Sequence, residues 1–287
     1  MELIFKKIWT IGESVMFRHS IFSLPFAYIA VFLSSEKILP DMNILFWVTV
    51  AMFGARNAAN ALNRVIDAEI DAQNPRTRNR HIPAGILTKK DLMLFSGFCL
   101  FLLILAAFML KPICVKLLPL AGFLLIFYSY TKRFTWACHL FLGLASSPAP
   151  IGAWIAVTGK IELPAVVLGA VYLFWVAGFD IIYGTLDVDF DRKHGIHSIP
   201  AVFGIEKALK ISSAFHLISV LLLIWFKYIL GLGIFFTLGI IAVALLLFYE
   251  HRIVSPSNLT HAKIASYNVN ELVGITLFIF TLLEMVS

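Results

Sequence analysis

Apolar residues come in long runs along this chain, and polar residues gather in the short gaps between them. The runs fall near 17–36, 43–66, 91–110, 114–131, 135–157, 164–186, 209–227, 229–249 and 265–286. Each is about 20 residues, the length an α-helix needs to cross roughly 30 Å of hydrocarbon. The pattern predicts an all-α, polytopic membrane protein with about nine transmembrane helices around a central cavity. Pro25 is expected to kink the first span, and Lys227 to mark the split between the seventh and eighth. No soluble domain or low-complexity segment interrupts the series, so residues 1–287 read as one transmembrane domain.

Composition agrees: 60% of residues are hydrophobic, 14% are charged, and the mean hydropathy is +0.89, more apolar surface than a soluble fold of this size needs. With the N-terminus inside and nine spans threaded, 17 lysines and arginines fall on inside segments. Only five, Lys37, Lys111, Lys116, Lys160 and Lys227, fall outside. That bias orients the chain with its N-terminus in the cytoplasm, and a bacterial inner membrane is the expected setting. The net charge of +6 is then a topology signal. No interleaved aromatic and basic patch suggests nucleic-acid binding. The N-terminus shows no cleavable-signal pattern, so the first span is expected to stay. Cys99, Cys114 and Cys138 are isolated and read as small buried hydrophobes rather than metal ligands.

Two polar stripes break the apolar pattern. Arg56, Asn60, Asn63, Asp67 and Asp71 follow steps of four, three, four and four; Asp180, Tyr183, Asp187 and Asp191 follow three, four and four. These are helical steps, so each set lies along one face of one helix, at its inside end. Acids reaching back into apolar helix are costly and imply function. The polar stretches 67–90 and 187–208 follow the stripes and share a short echo, Arg80-His81-Ile82-Pro83-Ala84-Gly85 against His197-Ser198-Ile199-Pro200-Ala201. The echo suggests two pseudo-repeats, about 1–133 and 134–287, facing each other across a cavity.

Asp67, Asp71, Asp187 and Asp191, with Asn63 and Asp180 as further donors, supply hard oxygen ligands suited to Mg²⁺, which commonly bridges to substrate phosphates. No His or Cys stands among them at zinc spacing. Arg76, Arg80, Lys132, Arg133, Arg192 and Lys193 flank the acids, and bases beside metal-binding acids point to a phosphate or diphosphate ligand. The competing reading has all these charges as interfacial groups pairing with one another. Arg56 lies too deep for that and must meet a stripe acid or a substrate carboxylate or phosphate. His19, His81 and His139 read as structural or interfacial.

These elements together resemble the UbiA superfamily of intramembrane prenyltransferases. The first family motif, N-D-x-x-D-x-x-x-D, stands here as Asn63, Arg64, Asp67 and Asp71, followed by Arg76, Thr77 and Arg80. The second, D-x-x-Y-x-x-x-D-x-x-x-D, stands as Asp180, Tyr183, Asp187 and Asp191. A third element stands as Tyr128, Lys132, Arg133 and Thr135, and the opening from Phe17 to Ala27 is similar to quinone-pathway members. Arg64 replaces the usual first aspartate, and His197 stands where many members carry lysine. The resemblance implies Mg²⁺-dependent transfer of a polyprenyl chain from its diphosphate to an aromatic acid within the lipid bilayer. It implies Asn63, Asp67, Asp71, Asp187 and Asp191 at the metal, Asp180 as a ligand or a base, and Arg76, Arg80, Lys132, Tyr128 and Tyr183 near the diphosphate. Arg56, then Arg18, is the expected partner of the acceptor carboxylate. 4-Hydroxybenzoate, for ubiquinone, is the first expectation for the acceptor, and a dihydroxynaphthoate, for menaquinone, the second. A cation-coupled transporter would also carry intramembrane acids, but would not need two matched aspartate sets followed by arginines.

Overall fold

The computed structural model describes residues 2–17 and 24–287. Its elements are helices throughout: α1 (Glu2–Ser14), α2 (Leu24–Ser34), α3 (Met42–Ile66), α4 (Ala68–Gln73), α5 (Lys89–Met109), α6 (Pro112–Thr131), α7 (Cys138–Ser146), α8 (Pro148–Thr158), α9 (Leu163–Gly184), α10 (Val188–His194), α11 (Ile199–Phe203), α12 (Ile205–Leu230), α13 (Ile234–Arg252), the single turn α14 (Ala262–Ile264) and α15 (Asn270–Val286). Among the described residues, seven stretches are long and apolar enough to cross a membrane: Lys89–Met109, Pro112–Thr131, Cys138–Thr158, Leu163–His194, Ile205–Leu230, Ile234–Arg252 and Ala262–Val286. The chain is a multi-pass integral membrane protein.

The nine expected spans differ in detail from these seven. The first corresponds to α2, an apolar helix of 11 residues. Pro25 is the second described residue of that helix, and the turn before it, where a kink would show, lies outside the described residues. The second corresponds to α3, 25 residues long, whose second half carries Arg56, Asn57, Asn60, Asn63 and Arg64 and is too polar to count by hydropathy. The break after the seventh span falls at Gly231, in the left-handed region at φ 64°, and leaves Lys227 inside α12. The fifth span is divided at Ser147, between α7 and α8, because Pro148 and Pro150 interrupt the backbone ladder.

Packing closes the helices around one interior space. α3 packs along α5, α9 along α12, α13 along α15, and α2 against α8. At the α7–α9 crossing a Cβ on Gly143 would fall 2.3 Å from the Leu173 carbonyl oxygen, so only glycine permits that approach. The largest core cluster joins Phe26, Tyr172, Trp175, Phe226 and Phe236. Outward faces remain apolar, with Phe98, Phe101 and Phe108 on α5 and Leu245 and Phe248 on α13 all exposed. In water such a surface would drive association; in lipid it is the expected boundary.

Candidate active site

Both stripes are helical, but each is interrupted at its middle aspartate. Asp67 ends α3 at φ −93°, ψ 1° and α4 restarts behind it. Asp187 closes a 3₁₀ turn, Thr185–Asp187, at φ −111°, ψ 4° and α10 restarts behind it. Backbone bonds carry the first chain through the break, Asp67 N–H to the Asn63 carbonyl at 2.9 Å and Asp71 N–H to the Asp67 carbonyl at 2.8 Å. The expectation of one continuous helix per stripe therefore yields to a helix, a bend and a short second helix.

The two stripes line one cavity of about 750 Å³. Arg56, Asn63, Asp67, Asp71, Arg76, Arg80, Tyr128, Lys132, Asp180, Tyr183, Asp187 and Asp191 all border it. Arg18 lies outside the described residues. One end of the cavity is crowded with charge; the other is walled by apolar side chains, among them Leu117, Leu118, Ala121, Leu124, Ile151 and Val166. Arg56 stands about three helical turns, roughly 16 Å along the axis, from Asp67.

At the charged end nearly every acid is held by a base. Lys132 Nζ reaches Asp67 Oδ2 at 2.6 Å and Arg133 reaches Oδ1 at 3.3 Å. Asn63 donates to Asp67 Oδ2 at 2.8 Å. Arg80 places one guanidinium nitrogen 2.7 Å from both oxygens of Asp71. Arg76 grips Asp187 through both oxygens, and Asn74 adds a bond to Oδ1 at 2.7 Å. Arg76 also donates to the Tyr183 hydroxyl at 2.6 Å. Partial burial opposes the Arg76 charge, but the bonds and charge of Asp187 and Tyr183 outweigh it and raise its pKa further. It is a fixed positive charge. Asp191 accepts from Ser198 at 2.9 Å. Among the described residues no three Asp, Glu, His or Cys side chains close around one point. The donors nonetheless suit a hard cation: Mg²⁺ takes one or two carboxylates and fills its octahedron with water and phosphate oxygens.

Several cavity residues escaped the sequence reading. His139 on α7 bonds Asp180 at 2.8 Å. Tyr267 meets Tyr183 edge-on, ring centres 5.2 Å apart. It is presented by a π turn, Ala265–Val269, a form often found at functional sites. Behind that turn Asn270 donates to the Ala265 carbonyl at 3.0 Å and to the fully buried Glu250 at 2.9 Å, and accepts from the Trp175 indole at 2.6 Å. Trp175, with Phe26 stacked 4.9 Å from it, forms part of the cavity wall. Arg64, the departure from the first motif, donates to the Ser14 carbonyl at 3.1 Å, and Asn60 to that of Val15 at 2.9 Å. Both tie the end of α1 to α3.

Residues 23–272 match the UbiA prenyltransferase family. The chain belongs to that family. It is 33% identical over 221 residues to a 4-hydroxybenzoate octaprenyltransferase of Vibrio campbellii, which spans 75% of this chain and 76% of that protein. A 4-hydroxybenzoate octaprenyltransferase of Chromohalobacter salexigens is 31% identical over 256 residues, 87% of this chain and 83% of its own. The apo structure of a UbiA homolog from Aeropyrum pernix superposes with a TM-score of 0.85 at 30% identity, covering 93% of this chain and 98% of that one. A UbiA homolog from Archaeoglobus fulgidus bound to DMAPP and Mg²⁺ shares the fold, with a TM-score of 0.67 at 20% identity over 95% of this chain and 99% of that one. The protein is thus a prenyltransferase of the UbiA family, as its motifs imply.

Proposed function

We propose that this UbiA-family enzyme transfers a polyprenyl chain from its diphosphate to an aromatic acid, with 4-hydroxybenzoate the first candidate acceptor. The observation that carries the reading is the cavity itself: two aspartate sets and their bases at one end, an apolar channel behind them. Asn63, Asp67 and Asp71 would hold one Mg²⁺, and Asp187 and Asp191 a second. When bound, the metal neutralises charge developing on the departing diphosphate. Arg76, Arg80 and Lys132 hold the phosphate oxygens. In the arrangement described above these bases hold the acids instead, so a magnesium diphosphate would bind by exchange of partners, with Arg76, Arg80 and Lys132 released from Asp187, Asp71 and Asp67 to the phosphate oxygens. The apolar end takes the prenyl chain and keeps water from the allylic cation, while aromatic walls offer it their faces.

Arg56 pairs with the acceptor carboxylate, deep enough to leave the ring between itself and the diphosphate. Asp180 borders the same interval. A dihydroxynaphthoate would meet the same arginine, so the acceptor is decided by assay. The names of the relatives favour 4-hydroxybenzoate. The DMAPP- and Mg²⁺-bound relative supports the donor and metal classes. The site opens to the cytoplasm, on the lysine and arginine bias, and the membrane is a bacterial inner membrane. The paired helix breaks at Asp67 and Asp187 support a duplication of halves.

The test is labelled geranyl diphosphate with a panel of aromatic acids in membranes, with and without magnesium. The expected outcome is incorporation that EDTA abolishes and that Asp67→Ala and Asp191→Ala lose. Incorporation that survives chelation, or survives both substitutions, rejects the site.

A further inference from the structure

Asp180 is held differently from the acids at the charged end. It lies on the face of α9 that carries Tyr183, seven residues before Asp187 and so roughly 10 Å farther from the charged end. Its partner is His139, whose Nδ1 stands 2.8 Å from Asp180 Oδ2. An ionised carboxylate only accepts, so the hydrogen sits on Nδ1. Both side chains border the cavity, but the histidine is 5% exposed and Asp180 27%, so the carboxylate is the more open of the two. The ring is wedged against α9: a Cβ on Gly184 would come within 2.9 Å of His139 Cε1. His139 Nε2 is buried without a hydrogen-bond partner, so the ring is oriented from its Nδ1 side.

The free oxygen matters. Asp71 and Asp187 each have both oxygens engaged by a guanidinium, and Asp67 has a lysine on one oxygen and an arginine on the other. Asp180 gives one oxygen to His139, and among the described residues no hydrogen bond is made to Oδ1. A carboxylate with one oxygen fixed and one open to the acceptor's place has the geometry of a proton acceptor.

We infer that His139 is a positioning residue for the transfer: it holds Asp180 so that Oδ1 faces the acceptor ring and takes up the proton the ring loses. The inference rests on the function proposed above. The allylic C–O bond breaks and its electron pair leaves with the diphosphate. A ring carbon uses ring π electrons to form the new C–C bond. The C–H pair then returns to the ring, and the proton passes to Asp180.

A ring-deuterated acceptor tests it. Membranes carrying the full chain are assayed with geranyl diphosphate and 4-hydroxybenzoate deuterated beside the hydroxyl, or the deuterated form of whichever acid the wild type accepts. Wild type is expected to show no primary isotope effect. His139→Leu is expected to lower kcat by on the order of 10²-fold, to keep geranyl diphosphate binding, and to show a primary isotope effect, because proton removal has become slow. Asp180→Asn should behave alike. His139→Asn, whose amide N–H reaches the place of Nδ1, should recover most of the rate and lose the isotope effect. Should His139→Leu fail to accumulate, Gly184→Ala displaces the same ring and should raise the same isotope effect. Wild-type kcat in His139→Leu, or slowing without an isotope effect in His139→Leu, Asp180→Asn or Gly184→Ala, overturns the inference alone. A wild-type chain with no EDTA-sensitive transfer to any aromatic acid overturns the proposed function, and the inference with it.

Discussion

The two aspartate motifs look alike in sequence and are balanced differently in space. In the first, Asp67 faces two cations and Asp71 a third, all within 3.3 Å. In the second, Asp187 has a cation only because Arg76 and Asn74 reach over from the loop behind the first motif. Asp191 has Ser198 and, among the described residues, no cation within salt-bridge distance. The first motif is thus stabilised by the charges around it, whereas the second leaves one acid uncompensated and open to an outside cation. A matched pair of motifs need not contribute equally to folding and to chemistry.

That asymmetry can be broken experimentally. The largest effects are expected from Asp67→Asn and Asp191→Asn, each lowering kcat/KM by about 10²- to 10³-fold. Only Asp67→Asn should also destabilise the protein, by on the order of 3 kcal/mol, since it strands Lys132 beside a neutral partner. Thermal melts in detergent separate the two, and equal losses of stability would refute the comparison. Next comes Arg76→Ala, which removes the bridge between motifs. A fall in kcat/KM for the donor of roughly 10- to 10²-fold is expected, with Arg76→Lys recovering little because an ammonium cannot grip both Asp187 oxygens. Full rescue by lysine would show that charge alone suffices. Arg56→Ala should raise the KM for the acceptor about tenfold, the loss of one charged hydrogen bond, and leave donor affinity unchanged in a binding assay. If donor affinity collapses instead, Arg56 belongs with the phosphates. The smallest effect is expected for Arg64→Ala, about 1 kcal/mol of stability from the lost Ser14 contact and activity within a few-fold of wild type.

Much of this architecture was legible in the sequence because it is written in local periods. Runs of about 20 apolar residues marked the helices, and steps of three and four placed Asp67 with Asp71 and Asp187 with Asp191. What could not be read was contact between residues distant along the chain. His139 and Asp180 are 41 positions apart, and Trp175 and Asn270 are 95. No periodicity within α7 or α15 reveals that each meets α9 at these residues. A histidine in an apolar run has the same appearance whether it packs or positions a carboxylate. Arg64 looked like a departure from a metal motif, and the structure gives it a different task, fastening α1. The helix breaks at Asp67 and Asp187 also left no trace, since neither proline nor glycine occupies them and the bend depends on tertiary packing.

The turn that carries Tyr267 holds one residue more than an α-helical turn would. A π turn spreads that extra residue over nearly the same rotation, so the helix on either side keeps its facing. Remove one residue and the turn can close to an α-helical one, with Asn270 still directed at Glu250, while Tyr267, in the middle of the five, changes direction and leaves Tyr183. The extra residue therefore serves the cavity side of the turn, and the final helix could be built without it.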